Sequence, residues 1–181
     1  VKNFRNFFFF IYFHTLILKL VYYNINFFFA KKITLMLKLR LKNIYKPKII
    51  FKNKIFNCQI GKNGTVPNFK KKEGDFGTPK GKWKIGRVFY RKDKFRFLKV
   101  LKLNKFFIQS IKKDDGWIDD PNSFNYNKLI KLNKKFNMES GYENLFRKDE
   151  VYDIVIEIKY NTNPTIRGKG SAIFIHLSFK D

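Results

Sequence analysis

Tyr152-Asp153-Ile154-Val155-Ile156-Glu157-Ile158-Lys159-Tyr160 decides the fold class of this chain. Ile154, Ile156 and Ile158 fall on one side of an extended segment, and Glu157 and Lys159 on the other. Side chains of a strand alternate between faces, so β-branched residues in step at a period of two read as a half-buried strand. Asn161-Thr162-Asn163-Pro164 closes it, because Pro donates no N–H to a ladder. The same period recurs in both directions. Upstream, Phe56, Cys58 and Ile60 alternate with Asn57 and Gln59 before the turn signal Gly61-Lys62-Asn63-Gly64. Trp83 and Ile85 alternate with Lys82 and Lys84. Downstream, Ala172, Phe174 and His176 share one face, and Ile173 and Ile175 the other. Residues 127–132 predict one short helix. With no internal repeat and no Ser/Gly-rich linker, this is one mostly-β domain, a sandwich or barrel with one or two short helices, over residues 36–181.

Charge and composition narrow the partners. The formal charge is +25, which suits a polyanion: nucleic acid, an acidic membrane surface or an anionic wall polymer. Lys, Phe, Ile, Asn and Tyr are all abundant and all have AT-rich codons, so base composition offers a second source for the same bias. The one cysteine, Cys58, excludes an intramolecular disulfide and a cysteine-based metal cluster. His14 and His176 lie in different segments with no carboxylates at ligand spacing, so no metal is expected.

Residues 1–35 differ from the rest. Residues 7–30 are aromatic and apolar, flanked by Lys2, Arg5, Lys31 and Lys32, and long enough to cross a bilayer. Lys19 near the centre costs roughly 2.5–3.5 kcal/mol on insertion scales. No small-x-small cleavage site follows, so an uncleaved membrane anchor fits better than a cleaved signal. The competing reading is an over-extended gene start, since the chain begins at Val1 and Met36 opens the domain-like part. Either reading expects this segment to stand apart from the domain.

Several motifs carry chemistry or turn geometry. Glu73-Gly74-Asp75 runs into Thr78-Pro79-Lys80-Gly81, where Pro presets φ and Gly relieves the turn that feeds Trp83. Trp117-Ile118-Asp119-Asp120-Pro121 precedes Tyr126-Asn127; by residue type alone this is a surface loop, with Asp119 or Asp120 as a cap and Trp117 as a lid. Tyr142-Glu143-Asn144-Leu145-Phe146-Arg147, Tyr152-Asp153 and Tyr160-Asn161 follow. Gly168-Lys169-Gly170-Ser171-Ala172-Ile173-Phe174-Ile175-His176 comes last. A lone His at a strand end is ordinarily a satisfied core or surface residue.

In this order, over residues 56–176, the motifs resemble the L,D-transpeptidase (YkuD-like) catalytic domain, a cysteine acyltransferase of the bacterial cell wall. The resemblance implies that His176 is the base, accepting the nucleophile's proton or forming a thiolate–imidazolium pair. It implies that Trp117, Asp119 and Asp120 shape a substrate groove. The family's cysteine follows the histidine and is preceded by Gly, whereas this chain stops at Asp181. The resemblance therefore implies that the last part of the domain, with the nucleophile, is missing and that the chain as it stands is inactive. Cys58 reads as an inert core thiol. Ser178 shares a strand face with His176, a placement that does not give in-line geometry. The implied reaction is 3–3 cross-linking of peptidoglycan stem peptides through a cysteine thioester, in the bacterial cell envelope and without a cofactor. Two other classes stand beside it: a non-catalytic remnant or wall-binding module, and a basic nucleic-acid-binding module. The last lacks a motif, because Gly61-Lys62-Asn63-Gly64 follows a strand and Gly168-Lys169-Gly170-Ser171 is too short for a phosphate loop.

Overall fold

The structure, a computed structural model, describes residues 9–11, 38–40, 47–51, 54–95, 108–132 and 141–177. The chain is mostly β. The described residues hold thirteen strands: β1 (Phe9–Ile11), β2 (Lys38–Arg40), β3 (Lys48–Phe51), β4 (Lys54–Gln59), β5 (Thr65–Pro67), β6 (Thr78–Lys80), β7 (Ile85–Tyr90), β8 (Ile108–Ser110), β9 (Asp115–Ile118), β10 (Leu129–Lys131), β11 (Tyr142–Asn144), β12 (Ile154–Ile158) and β13 (Phe174–Leu177).

Eight strands form one sheet in the order β2-β3-β4-β1-β13-β12-β7-β8. It is open, with β2 and β8 at its edges. The pairs β1/β13 and β7/β8 are parallel, and the other pairs are antiparallel. A three-stranded antiparallel sheet, β10-β9-β11, covers part of one face, and β5 and β6 form a short parallel pair. The core lies where the two larger sheets meet. Trp117 of β9 sets its ring edge-on to Phe89 of β7 and Phe174 of β13, at 6.4 and 5.0 Å between centroids. Ile111, Leu145, Val151, Tyr152, Val155 and Ala172 complete the cluster.

β12 alternates as its sequence requires, but both of its faces are buried, Glu157 included. The Arg87 backbone N–H and Nε each donate to Glu157 Oε2 at 3.0 Å, and Lys159 Nζ donates to Oε1 at 2.9 Å. These bonds outweigh the burial penalty, the largest single influence, and hold the carboxyl below its ordinary range. The Glu157 side chain crosses Gly86, where a Cβ would lie 2.6 Å from Oε2. The register of β7 against β12 shifts at this point.

Two expectations change: Thr78-Pro79-Lys80, read as part of a turn, lies extended as β6 beside β5, and the short helix is replaced by a strand. Residues 127–132 form no helix: Leu129, Ile130 and Lys131 pair with Trp117, Gly116 and Asp115 as β10. An isolated helix of six residues lacks the length to offset its nucleation cost, whereas the ladder to β9 supplies hydrogen bonds at once. The one helical element among the described residues is a 3₁₀ turn at Asn68–Lys70. The anchor or gene-start segment lies outside the described residues apart from Phe9–Ile11. Those three residues pair with β13, and Phe10 and Ile11 also pair with β4. No helix among the described residues is long and apolar enough to cross a membrane.

Candidate functional site around His176

His176 sits in mid-sheet, paired in register with Val155 of β12 and Phe10 of β1. It is 1 % exposed. Residues in register share a face, so the imidazole points to the side on which Val155, Phe174 and Trp117 pack. Its Nδ1 lies 2.8 Å from the Leu177 carbonyl oxygen. A carbonyl only accepts, so Nδ1 carries the proton and Nε2 keeps its lone pair in the neutral ring. Burial pushes the imidazole down to about 3, and the Arg147 charge adds to the fall. At neutral pH the ring is an uncharged acceptor.

Tyr152 connects this ring to the protein surface. Its ring meets His176 edge-on at 5.0 Å, and the Arg147 guanidinium lies 4.9 Å from the Tyr152 centroid. Arg147 Nε donates to both oxygens of Asp149, at 2.9 and 3.0 Å, and Nη2 also reaches Asp149. Glu143 stands 3.8 Å from the same guanidinium. Burial holds the Tyr152 phenol well above its ordinary value, and the Glu143 carboxylate pushes the same way. His176 is therefore backed by a neutral phenol, then a cation, then two carboxylates.

The sequence-derived candidates do not all gather here. Trp117 is 1 % exposed inside the core, where its Nε1–H donates to Asn127 Oδ1 at 2.9 Å. Asp119 is half-buried, its N–H donating to the Gly141 carbonyl, and its charge reaches Tyr152. Asp120 Oδ1 accepts the Asn122 N–H at 2.9 Å, a local turn brace. Cys58 is buried on β4. It pairs with Ile11, which pairs with Leu177, so its thiol lies two strands from β13 on the face opposite His176. Burial pushes that thiol up to about 12, the reverse of a nucleophile's requirement. Ser178 lies outside the described residues.

A second constellation lies at the opposite end of β13, and sequence reading missed it. Glu73 Oε2 accepts from the Tyr126 hydroxyl and from Ser171 Oγ, the latter at 2.8 Å. The Gly170 N–H donates back to Tyr126 Oη at 2.9 Å, and the Glu73 N–H donates to the Gly168 carbonyl at 2.7 Å. Gly170 takes φ +99° above the Lys71 side chain, a conformation and a closeness that favour a residue without Cβ. Lys71 Nζ bonds Asp75 Oδ1 at 2.7 Å. Asn127, left-handed at φ 58°, uses its whole amide: Oδ1 accepts from Trp117 and from the Ala172 N–H, and Nδ2 donates to the carbonyls of Tyr160 and Asn161. The sequence signal was the Tyr126-Asn127 pair, whose partners lie far away in the chain.

Among the described residues no three His, Cys, Asp or Glu side chains gather to hold a metal ion. No protein-family profile, no curated protein and no solved structure matches the chain.

Proposed function

We propose that this chain carries the acid–base half of an L,D-transpeptidase-type cysteine acyltransferase, on a two-sheet domain of sandwich type. The observation that carries the reading is His176 itself: a neutral, orientation-locked imidazole with its proton fixed on Nδ1. A base that accepts a thiol proton must offer a lone pair, and a neutral ring protonated on Nδ1 carries it on Nε2. Further support is that the segments bearing the resemblance converge in space. Residues 142–147 and 152 back the imidazole, while Glu73, Tyr126-Asn127 and Gly168–Ser171 lock the turn that leads into β13.

Cys58 does not serve as the thiol, so the reading requires one from outside these 181 residues. A pKa of about 3 is too low for an effective base at neutral pH. A thiolate within hydrogen-bond distance raises it by stabilising the imidazolium. The thiolate then attacks the carbonyl of a peptidoglycan stem peptide and expels the terminal D-amino acid, which leaves as an amine protonated by His176. An amine of a second stem resolves the thioester.

The test extends the chain by the residues encoded after Asp181 and measures cross-linked dimer from tetrapeptide muropeptides by mass spectrometry. The chain as given should be inactive and the extended chain active. His176→Ala in the extended chain should lower the rate by about 10²–10⁴, the range for losing a positioned base. Cys58→Ser should leave the rate intact. An extended chain with no thioester adduct would instead mark a non-catalytic remnant.

A further inference from the structure

Four large apolar side chains are strongly exposed among the described residues, and three belong to one end of the fold: Phe124 at 89 %, Phe69 at 75 % and Ile166 at 52 %. Each stands on a different loop, and hydrogen bonds tie the three loops into one frame. Lys169 Nζ donates to the Phe69 carbonyl at 3.5 Å, Glu73 receives the Tyr126 hydroxyl, and Asn161 exchanges two bonds with the Ile166 backbone at 2.7 and 2.9 Å. Cations accompany the rings. Lys70 Nζ lies 5.8 Å from the Phe69 centroid, and the Arg167 guanidinium lies 5.1 Å from that of Phe124. Lys128 Nζ reaches the Phe124 carbonyl at 3.5 Å. Among the described residues none of these three cations makes an ion pair. The nearby acids are engaged elsewhere: Glu73 with Tyr126 and Ser171, Asp75 with Lys71, and Asp120 with the Asn122 N–H.

We propose that this end docks on an anionic bilayer surface. Phe69, Phe124 and Ile166 enter the boundary between headgroups and acyl chains, and Lys70, Lys128 and Arg167 meet lipid phosphates. Apolar tips beside unpaired cations match the two layers of such a surface, and the net charge of +25 supplies the long-range attraction. A single-stranded nucleic acid would use the two Phe rings, but it gives Ile166 no role, since an aliphatic side chain offers no stacking face. The tips sit on a braced frame, so little order is lost on docking. The proposal is independent of the acyl-transfer reading, because the tips lie at the end of β13 opposite His176.

The test uses the full chain carrying Phe124→Trp, with brominated lipid in vesicles of phosphatidylglycerol and phosphatidylcholine. Quenching above that of the parent chain is expected on the mixed vesicles and not on phosphatidylcholine alone. Replacing Phe69, Phe124 and Ile166 together by Ala should weaken vesicle binding about 10- to 100-fold, from the apolar area withdrawn, with an unchanged melting temperature. Absence of quenching overturns the proposal, even if vesicles bind the chain through another segment. So does a triple variant that binds vesicles like the parent. A 20-nucleotide single strand is the remaining probe: binding lost in the triple variant while vesicle binding persists would assign the surface to nucleic acid.

Discussion

The two ends of β12 are held together by opposite kinds of chemistry. Past Ile158, neutral groups mostly bond backbone: Asn127 and Asn161 bridge strand ends and loops, and the Glu73 carboxylate accepts from hydroxyls, beside a single ion pair, Lys71–Asp75, among the described residues of this constellation. Before Ile154, charges dominate. Arg91 forks onto Asp93 and approaches Asp153, Lys94 bridges Asp153 and Glu150, and Arg147 forks onto Asp149. The difference teaches where each end is fragile. A buried amide bonded at every polar atom has no spare partner, so its loss strands several groups at once. A charged cluster near the surface exchanges partners with water and loses less. His176 lies near the charged end, so the candidate base sits where pH acts.

The sharpest break of the neutral end is Asn127→Ala. It leaves the Trp117 N–H, the Ala172 N–H and two carbonyls without their partner, and it puts Ala at a left-handed φ. We expect a loss of about 3–5 kcal/mol in urea unfolding. Asn127→Asp keeps the acceptor and loses the donor, and should fall between. A loss under about 1 kcal/mol for the alanine variant would mean that the neutral end is not the tighter one.

Next in size is the acid response of His176. Its folded pKa of about 3 lies below the ordinary unfolded value near 6.5, so between these limits the unfolded chain binds the extra proton. Stability therefore falls as pH drops through that window, by up to about 1.4 kcal/mol per pH unit once the unfolded His is mostly protonated. Asp75, Asp149 and Glu157, with lowered folded values, lose their contributions only below about pH 4.5, where unfolded carboxylates protonate. His176→Gln should flatten the slope between about pH 4.5 and 6.5 and leave the steeper loss below it. An unchanged slope would place the imidazole in contact with water.

Tyr126→Phe is a smaller test of the neutral end. It removes one donor to Glu73 and one acceptor for the Gly170 N–H, while Ser171 still serves Glu73. A loss of about 1–2 kcal/mol is expected. Addition of the Tyr126→Phe and Ser171→Ala losses without coupling would show that Glu73 is not their common hub.

Legibility followed locality. β4 and β12 were visible because alternation is a property of consecutive residues, and Cys58 was correctly read as a core thiol from its neighbours alone. β10 was read as part of a short helix, because the pairing that makes it a strand comes from β9, outside the segment itself. Glu157 looked solvent-facing because its compensating partner Arg87 lies seventy positions away. Trp117 looked like a lid because its loop is polar; its burial depends on Phe89 and Phe174. The Glu73–Tyr126–Ser171 hub joins three motifs that the sequence showed separately, and no local pattern states that they meet.

The smallest effect should come from the charged end. Asp153 is buried, and burial is the largest influence on its carboxyl; with Glu150 adding repulsion, it stays above the ordinary value despite Lys94 at 2.8 Å and Arg91 at 4.0 Å. A raised folded pKa means that the folded state binds the proton more readily than the unfolded chain, so the ionised form of this group opposes folding at neutral pH. Its partners return less than desolvation takes, the usual balance for a buried ion pair. Asp153→Asn keeps the shape and an acceptor for Lys94 while removing the charge. We expect its stability within about 1 kcal/mol of the parent at pH 7. Since the parent gains from protonating Asp153, the variant's relative advantage should shrink as pH falls through the folded pKa. A loss as large as that of Asn127→Ala would show that the charged end is as unforgiving as the neutral one.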